Sequence, residues 1–532
     1  MSQRMSASTV QTTVVRAAHS TTGNRFGDQA FAMVIGAALL PLALFAGRHL
    51  GSDANYDLLS YHSYIGEAAL SGRLGSDVAP AGLGSFHNPL LDLPGALALR
   101  QSVRLFTVWL AIQQWVCWLA LWGFVRTVLR ERDRPAQLLC LAVALTGSAA
   151  MSLSITSFGD WPVAALLLAS LTVVLNSHHN ARDTSPQPDR RRLVVGGLLA
   201  ALALAAKLTA APFLIGLTVA VVVVAGRRAW LWAGGLVAGI AALCLPWWIY
   251  LTNRFGNPFF PYYNKIFKSV DGPVSSFDDS RFGASSLQDL VRLPIDFARG
   301  TTRYSELVYR DLRWVGVVAA LVAWLAVAGG TTHERKTWRA IGVFGFLGYV
   351  LWLVPFGIYR YGLVLELMAS VFIVSVISML KPRVPAAAVG IAMTVALAVQ
   401  TSPNWGRATP LHVKLPLLGS ELRSERRSER VLLADMGPTS YLVRSLPPGT
   451  PLASIQGFAF GFFSIDGQLG ESLRKFVADG MADKSLRIII NPATELQPIV
   501  AQLGIAPNLA ACQGFAGPFG PLAICPVVPV SL

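Results

Sequence analysis

The sequence predicts an all-α polytopic membrane bundle of about eleven transmembrane helices, followed by a C-terminal extracytoplasmic α/β domain. Three observations predict it. Of 532 residues, 53% are hydrophobic and only 14% charged, against roughly 25% charged in ordinary soluble proteins. Apolar windows of near-bilayer length recur from residue 31 to residue 400. Past residue 400 the hydrophobicity drops, and the strand and helix signals of a small soluble domain take over. A disordered chain is excluded, and an ordinary soluble enzyme is disfavoured.

The windows lie at 31–50, 105–126, 136–153, 161–176, 193–209, 211–226, 229–250, 314–330, 340–356, 363–380 and 384–400. Lys207 interrupts the stretch 193–226, where a re-entrant pair would read much the same. Residues 1–30 are polar and Ser/Thr-rich and read as a cytoplasmic tail. A cleaved signal peptide is the alternative for the apolar core Phe31 to Ala46, but its leader is long and Arg48 and His49 follow almost at once.

Charge placement orients the bundle. Lys and Arg number 44 and Asp and Glu 29, a formal charge of +15. Arg126, Arg130, Arg132 and Arg134 follow the second window, Arg182 and Arg190 to Arg192 the fourth, and Arg227 and Arg228 the sixth. Arg335, Lys336 and Arg339 follow the eighth, and Lys381 and Arg383 the tenth. Every second connection is basic, so these loops and the tail with Arg4, Arg16 and Arg25 are expected in the cytoplasm. Segments 51–104, 154–160, 251–313 and 401–532 are then expected outside the cytoplasmic (inner) membrane. Positive charge spent on orientation is not a nucleic-acid footprint, so the expected partners include membrane lipids and no nucleic acid.

In the first outer loop, 51–104, Leu58 to Leu70 show the period of an amphipathic helix lying along the interface. The loop 251–313 opens with NRFGNPFFPYYNKIFKS, whose aromatics alternate with Pro, Asn and Lys as at headgroup depth. In the last segment RVLLAD, TPLASI and LRIIINP read as strands, and ESLRKFVADGM and ATELQPIVAQLG as helices. Cys117, Cys140 and Cys244 fall in spans as small apolar side chains. Cys512 and Cys525 flank a Gly/Pro-rich turn and are expected to pair across a hairpin in an oxidising compartment.

Acidic residues near lipid persist mainly when used, and Asp53, Asp57, Glu67, Asp77 and Asp92 all lie in the first outer loop. Asp57 is followed by Tyr61, Gly72 and the run Asn88, Pro89, Leu90, Leu91; Asp160 stands in the short loop before the fourth window. This spacing resembles the membrane glycosyltransferases of the GT-C type, which include protein O-mannosyltransferases and the lipid A aminoarabinose transferase. The likeness covers mainly residues 31–176. It implies a transferase that takes a sugar from a polyprenyl-phosphate donor and passes it to a hydroxyl acceptor, a glycan or lipid, at the outer membrane face. The chain lacks the adjacent Asp-Glu pair of the O-mannosyltransferases, having Asn55, Tyr56 and Asp57 instead, and has no WWDYG segment, so protein N-glycosylation is disfavoured.

Single-displacement sugar transfer needs a carboxylate to remove the acceptor proton. Asp57 is the candidate base, with Asp53 as its rival; an N-cap for the interfacial helix is the plain alternative for Asp57. Asp160 orients the acceptor, helps hold with Asp57 a hard divalent cation such as Mg2+ or Mn2+, or caps its span. His62 and Tyr61 are substrate-contact candidates. Arg suits a phosphate through its planar fork and Lys through point charge, which nominates Arg360 with Tyr361, then Lys207, then Lys265. Glu366, inside the tenth window, is expected to pair with a base. A lipid transporter or flippase, and a glycan polymerase or ligase, stay open as alternatives; transporters tend to show repeated halves, which the sequence does not.

Overall fold

The computed structural model describes residues 7–129, 134–179, 188–273, 280–327, 332–380, 386–408 and 429–530. The loop residues Arg4, Arg130, Arg132, Arg182, Lys381 and Arg383 lie outside them. A helix occupies each apolar window. Among the described residues, five stretches are long and apolar enough to cross a membrane: Gly27–Leu50, Val103–Val128, Asp160–Ser177, Leu208–Leu243 and Tyr359–Leu380. The count of eleven crossings is therefore not confirmed by length and composition alone.

Local chemistry sets the helix ends. Ser102, in extended conformation, accepts from the Leu105 amide at 3.1 Å and starts helix Val103–Val128; the Asp189 side chain does the same for helix Arg190–Ala206 through the Arg191 amide. Lys207 is extended and ends that helix, and Pro212 sits in the first turn of the next, Ala211–Ala225. The interruption read at Lys207 is thus a true break. The window 136–153 also breaks: its helix stops at Leu145, and a short helix, Ser148–Ser152, begins after Gly147.

Small residues bring the helices together. A Cβ on Gly197 would stand 2.1 Å from the Trp232 carbonyl oxygen, and one on Gly235 2.2 Å from that of Val194. Helices Arg190–Ala206 and Ala229–Leu243 therefore pack backbone to backbone, as helices in lipid do for want of a hydrophobic drive between them.

A two-stranded ladder pairs β1 (Ser52–Asp53) with β2 (Arg407–Ala408), tying the first outer loop to the chain leaving the bundle. The C-terminal sheet contains β3 (Arg430–Leu433), β4 (Leu452–Ser454), β5 (Leu486–Ile490), β6 (Ile505–Pro507), β7 (Gln513–Gly517) and β8 (Gly520–Pro529). Its order is β4-β3-β5-β8-β6, with β7 also on β8. The first three are mutually parallel, and β8 runs against β5. The three strands and the helix Gln468–Ala482 fall where the alternation places them, and Cys512 and Cys525 are joined across the β7–β8 hairpin.

Parts of the two segments expected at the interface are instead buried under this domain. Leu58, Leu59, Tyr64, Ile65 and Ala68 have almost no exposure, because the turn Ser440–Arg444 lies on them and Ser440 bonds the Ser60 carbonyl. Phe260 stacks between Phe255 and Phe463 and meets Phe86 edge-on. Val78 bridges Ala453 on the free edge of β4. The core of the C-terminal domain is thus shared with segments 51–104 and 251–313, so the amphipathic period records domain docking where the lipid interface was expected, whereas of the aromatic run Phe255 and Phe260 dock and Tyr263 and Ile266 stay 46% and 71% exposed.

Candidate active site

The first outer loop begins with a π-helical turn, Leu58–His62, closed by the Ser63 amide on the Leu58 carbonyl, before α-helix Ser63–Leu70. Such turns widen a helix and recur at functional sites. Here it presents Tyr61 and His62 on the side of Asp57. The Asp57 side chain makes no capping bond, so the plain alternative for it is not used.

Asp57 accepts from the Tyr61 hydroxyl at 2.9 Å and from Arg360 Nη1 at 2.9 Å, both on Oδ2. Burial pushes its carboxyl up, but the positive charges of Arg360, His62 and Lys207 outweigh that and hold it below the usual carboxylate range. It is therefore a carboxylate, with Oδ1 left for a substrate. Arg360 reaches it from the turn Tyr359–Gly362, with its guanidinium over the rings of Phe158 at 4.2 Å and Tyr361 at 5.1 Å. Lys207, at the break between two helices, donates to Asp160 Oδ1 and to the Phe158 carbonyl, each at 2.8 Å, and lies over Tyr361 at 4.5 Å.

Five sequence candidates, Asp57, Tyr61, Asp160, Lys207 and Arg360, thus meet around Phe158 and Tyr361, drawn from four regions of the chain. Two polar atoms here are buried without a hydrogen-bond partner: Arg360 Nε and Asp160 Oδ2. Leaving such groups unmet costs of order 1–3 kcal/mol each, and functional sites are where native proteins tolerate it.

Other candidates sit differently. Asp53 is wholly buried and bonded to the Ser157 amide at 2.8 Å and to Asn55 at 2.7 Å; burial raises its carboxyl against these bonds. It fastens one acid loop to the other, which removes it as a rival base. His62 bonds Asp92 through Nδ1 at 2.7 Å, and its Nε2 is buried without a partner. Lys265 is exposed on the short helix Asn264–Phe267. Glu366 takes no base in its hydrogen bonds: it accepts from the amides of Ala149 and Ala150 at 2.9 and 3.0 Å and from the Tyr359 hydroxyl. It caps the short helix after Gly147 and steadies the residue beside Arg360.

A family model, glycosyltransferase family 87, matches residues 93–355. Over these residues, just under half of its length, the chain matches a glycosyltransferase family, and its fold is of the GT-C type. Its fold is that of ArnT from Cupriavidus metallidurans bound to undecaprenyl phosphate, at 14% identity and TM-score 0.55 over 93% of this chain and 98% of that one. It is also similar to the arabinofuranosyltransferase AftD from Mycobacteria, at 15% identity and TM-score 0.53 over 95% of this chain and 40% of the larger one. No curated protein matches it by sequence.

A divalent cation does not fit these residues as placed. Mg2+ and Mn2+ take about six oxygen donors, whereas Asp57 and Asp160 are each already neutralised by a cationic side chain. Among the described residues no group of three or more His, Cys, Asp or Glu is placed to hold a metal. Sequence reading missed Phe158, whose carbonyl and ring link the two cations, and Gly84, where a Cβ would fall 2.3 Å from Tyr61. Phe158 stands two residues before Asp160, so its place beside that acid was the signal available, whereas Gly84 carries none.

Proposed function

We propose that this glycosyltransferase moves a sugar from a polyprenyl-phosphate donor to a hydroxyl acceptor at the outer face of the cytoplasmic membrane, in a single inverting displacement. The observation that carries the reading is the paired-charge cluster, Asp57 with Arg360 and Asp160 with Lys207, together with the buried, unpartnered Arg360 Nε. A guanidinium whose Nη1 is held by Asp57 has its remaining donors free for a phosphate, and Lys207 adds point charge. Developing negative charge on the leaving phosphate is then met by groups already in place.

The acceptor hydroxyl donates to Asp57 Oδ1. As its oxygen forms the new bond to the anomeric carbon, its proton passes to Asp57, and the bond to the phosphate breaks with its electron pair left on the phosphate oxygen. Tyr61 and Arg360 hold the carboxylate in line. No step is routed through a metal. An apolar groove of about 360 Å³, lined by Leu74, Asn88, Pro89, Leu90, Leu243 and Trp247, suits the prenyl chain. Leu91, next in sequence to Leu90 of the groove, packs with Lys207 on Gly159. The description of the ArnT structure as bound to undecaprenyl phosphate supports this donor class, as does the alternation of basic loops for the outer placement.

The test is transfer by reconstituted protein from a panel of polyprenyl-phosphate sugars, with the anomeric configuration of the product read by NMR. Transfer with inversion that disappears in Arg360→Ala and Asp57→Asn is expected. Retention of configuration would overturn the single displacement, and protein-dependent lipid flipping without transfer would overturn the enzyme.

A further inference from the structure

The C-terminal sheet has a loop edge chemically unlike the cationic cluster. Strand β3 lies between β4 and β5, all parallel, so the chain leaves β3 to one side and returns on the other. In open α/β sheets, ligands bind outside the carboxyl ends of strands at such a switch point. Those ends carry Asp435 after β3, Gln456 after β4 and Asn491 after β5, and the β7–β8 turn with Phe519 lies at the same edge because β8 runs against β5.

This edge faces the acid loop. Gln456 Nε2 donates to the Tyr56 hydroxyl at 3.3 Å and to the Met436 carbonyl at 2.9 Å, and the Tyr56 and Phe519 rings meet edge to face at 5.9 Å. Tyr56 is the residue next to Asp57, and its hydroxyl feels the charges of both Asp57 and Asp435. Tyr56, Phe460 and Phe519 are 43%, 50% and 55% exposed. The loops 434–439, 455–463, 491–497 and 517–521 contain no Lys, Arg or His, in a chain of net charge +15.

We propose that this edge binds the acceptor as a neutral saccharide, stacked on Phe519 and Tyr56 and held through its hydroxyls by Asp435 and Asn491. The inference rests on the transferase reading only for the word acceptor. The apolar C–H face of a sugar ring suits the electron-rich face of an aromatic, carboxylate and amide groups match its hydroxyls, and the lack of bases disfavours phosphorylated or acidic glycans. A saccharide seated there reaches Asp57 along Tyr56, opposite in charge character to the cationic donor pocket.

The test is equilibrium binding of neutral arabinan, mannan and galactan tetrasaccharides, and of a sulfated tetrasaccharide, to the full chain in nanodiscs. Expected is saturable binding of at least one neutral probe, weakened tenfold or more by both Phe519→Ala and Asp435→Asn, with no binding of the sulfated probe. Phe519 is a surface side chain, so its variant folds even where another does not. The site is overturned if no neutral probe binds, if both variants bind as the parent does, or if only the sulfated probe binds. Saccharide binding without any sugar transfer would keep this site and defeat the transferase reading. Transfer with an unchanged acceptor KM in both variants would do the reverse.

Discussion

Replacing Asp57 by Asn keeps the shape of the side chain and removes its charge and its capacity to take a proton. The lost attraction to Arg360 is large on paper: unit charges 2.9 Å apart interact by about 6 kcal/mol at an effective dielectric constant of 20. Desolvation offsets most of it, and breaking such a pair destabilises by roughly 3–5 kcal/mol when both groups are fully buried. Here the side chains are 13% and 17% exposed, and Asn still accepts through its carbonyl oxygen, so a loss of about 1–3 kcal/mol is expected. General-base catalysis contributes roughly 10²–10⁴ in rate, and kcat should fall by that factor. The assay is single-turnover transfer in proteoliposomes at matched folded protein, with the melting temperature measured in parallel. A rate within threefold of the parent, at whatever stability, would refute the base assignment.

Four further outcomes are expected. Lys207→Met should raise the donor KM and lower kcat while sparing acceptor binding, checked by initial-rate kinetics in both substrates. Gly84→Ala, which drives a Cβ into the Cβ and ring of Tyr61, should lower kcat through the displaced Tyr61–Asp57 bond, and should lower it much less in a Tyr61→Phe background, which already lacks that bond. Cys512→Ser should lower stability by about 3 kcal/mol for a closed loop of this length, sequence separation 13, read as a lower melting temperature that reductant reproduces in the parent. Burial, helped by the nearby positive charges of His62 and Lys207, depresses His87 to about 4. The unfolded chain then binds its proton first as pH falls, so stability should decline between about pH 6.5 and 4, and His87→Gln should flatten that decline.

Much of the bundle was legible because its signals are local. An apolar window, a Ser or Asp before a helix and a Lys between two spans each act within a few residues, and each helix appears where its window lies. The window 136–153 failed because what breaks it is distant: Glu366 occupies the space at Gly147, where a Cβ would stand 1.8 Å from its carboxylate oxygen. The period from Leu58 to Leu70 was read correctly and assigned the wrong partner, since sequence shows that a face is apolar and not whether lipid or protein covers it. At the site, Asp57 and Asp160 stood out by spacing and Arg360 by its aromatic flanks. Asp53 looked equivalent to Asp57, and only the Ser157 amide, 104 residues away, separates a structural carboxylate from an available one.

The cationic pocket as a phosphate site is tested most directly by structure determination with native lipid retained. A polyprenyl phosphate is expected with its phosphate within hydrogen-bond distance of Arg360 and Lys207 and its chain in the groove by Pro89 and Trp247. A phosphate headgroup bound elsewhere while the Arg360 donors stay unmet would contradict the account.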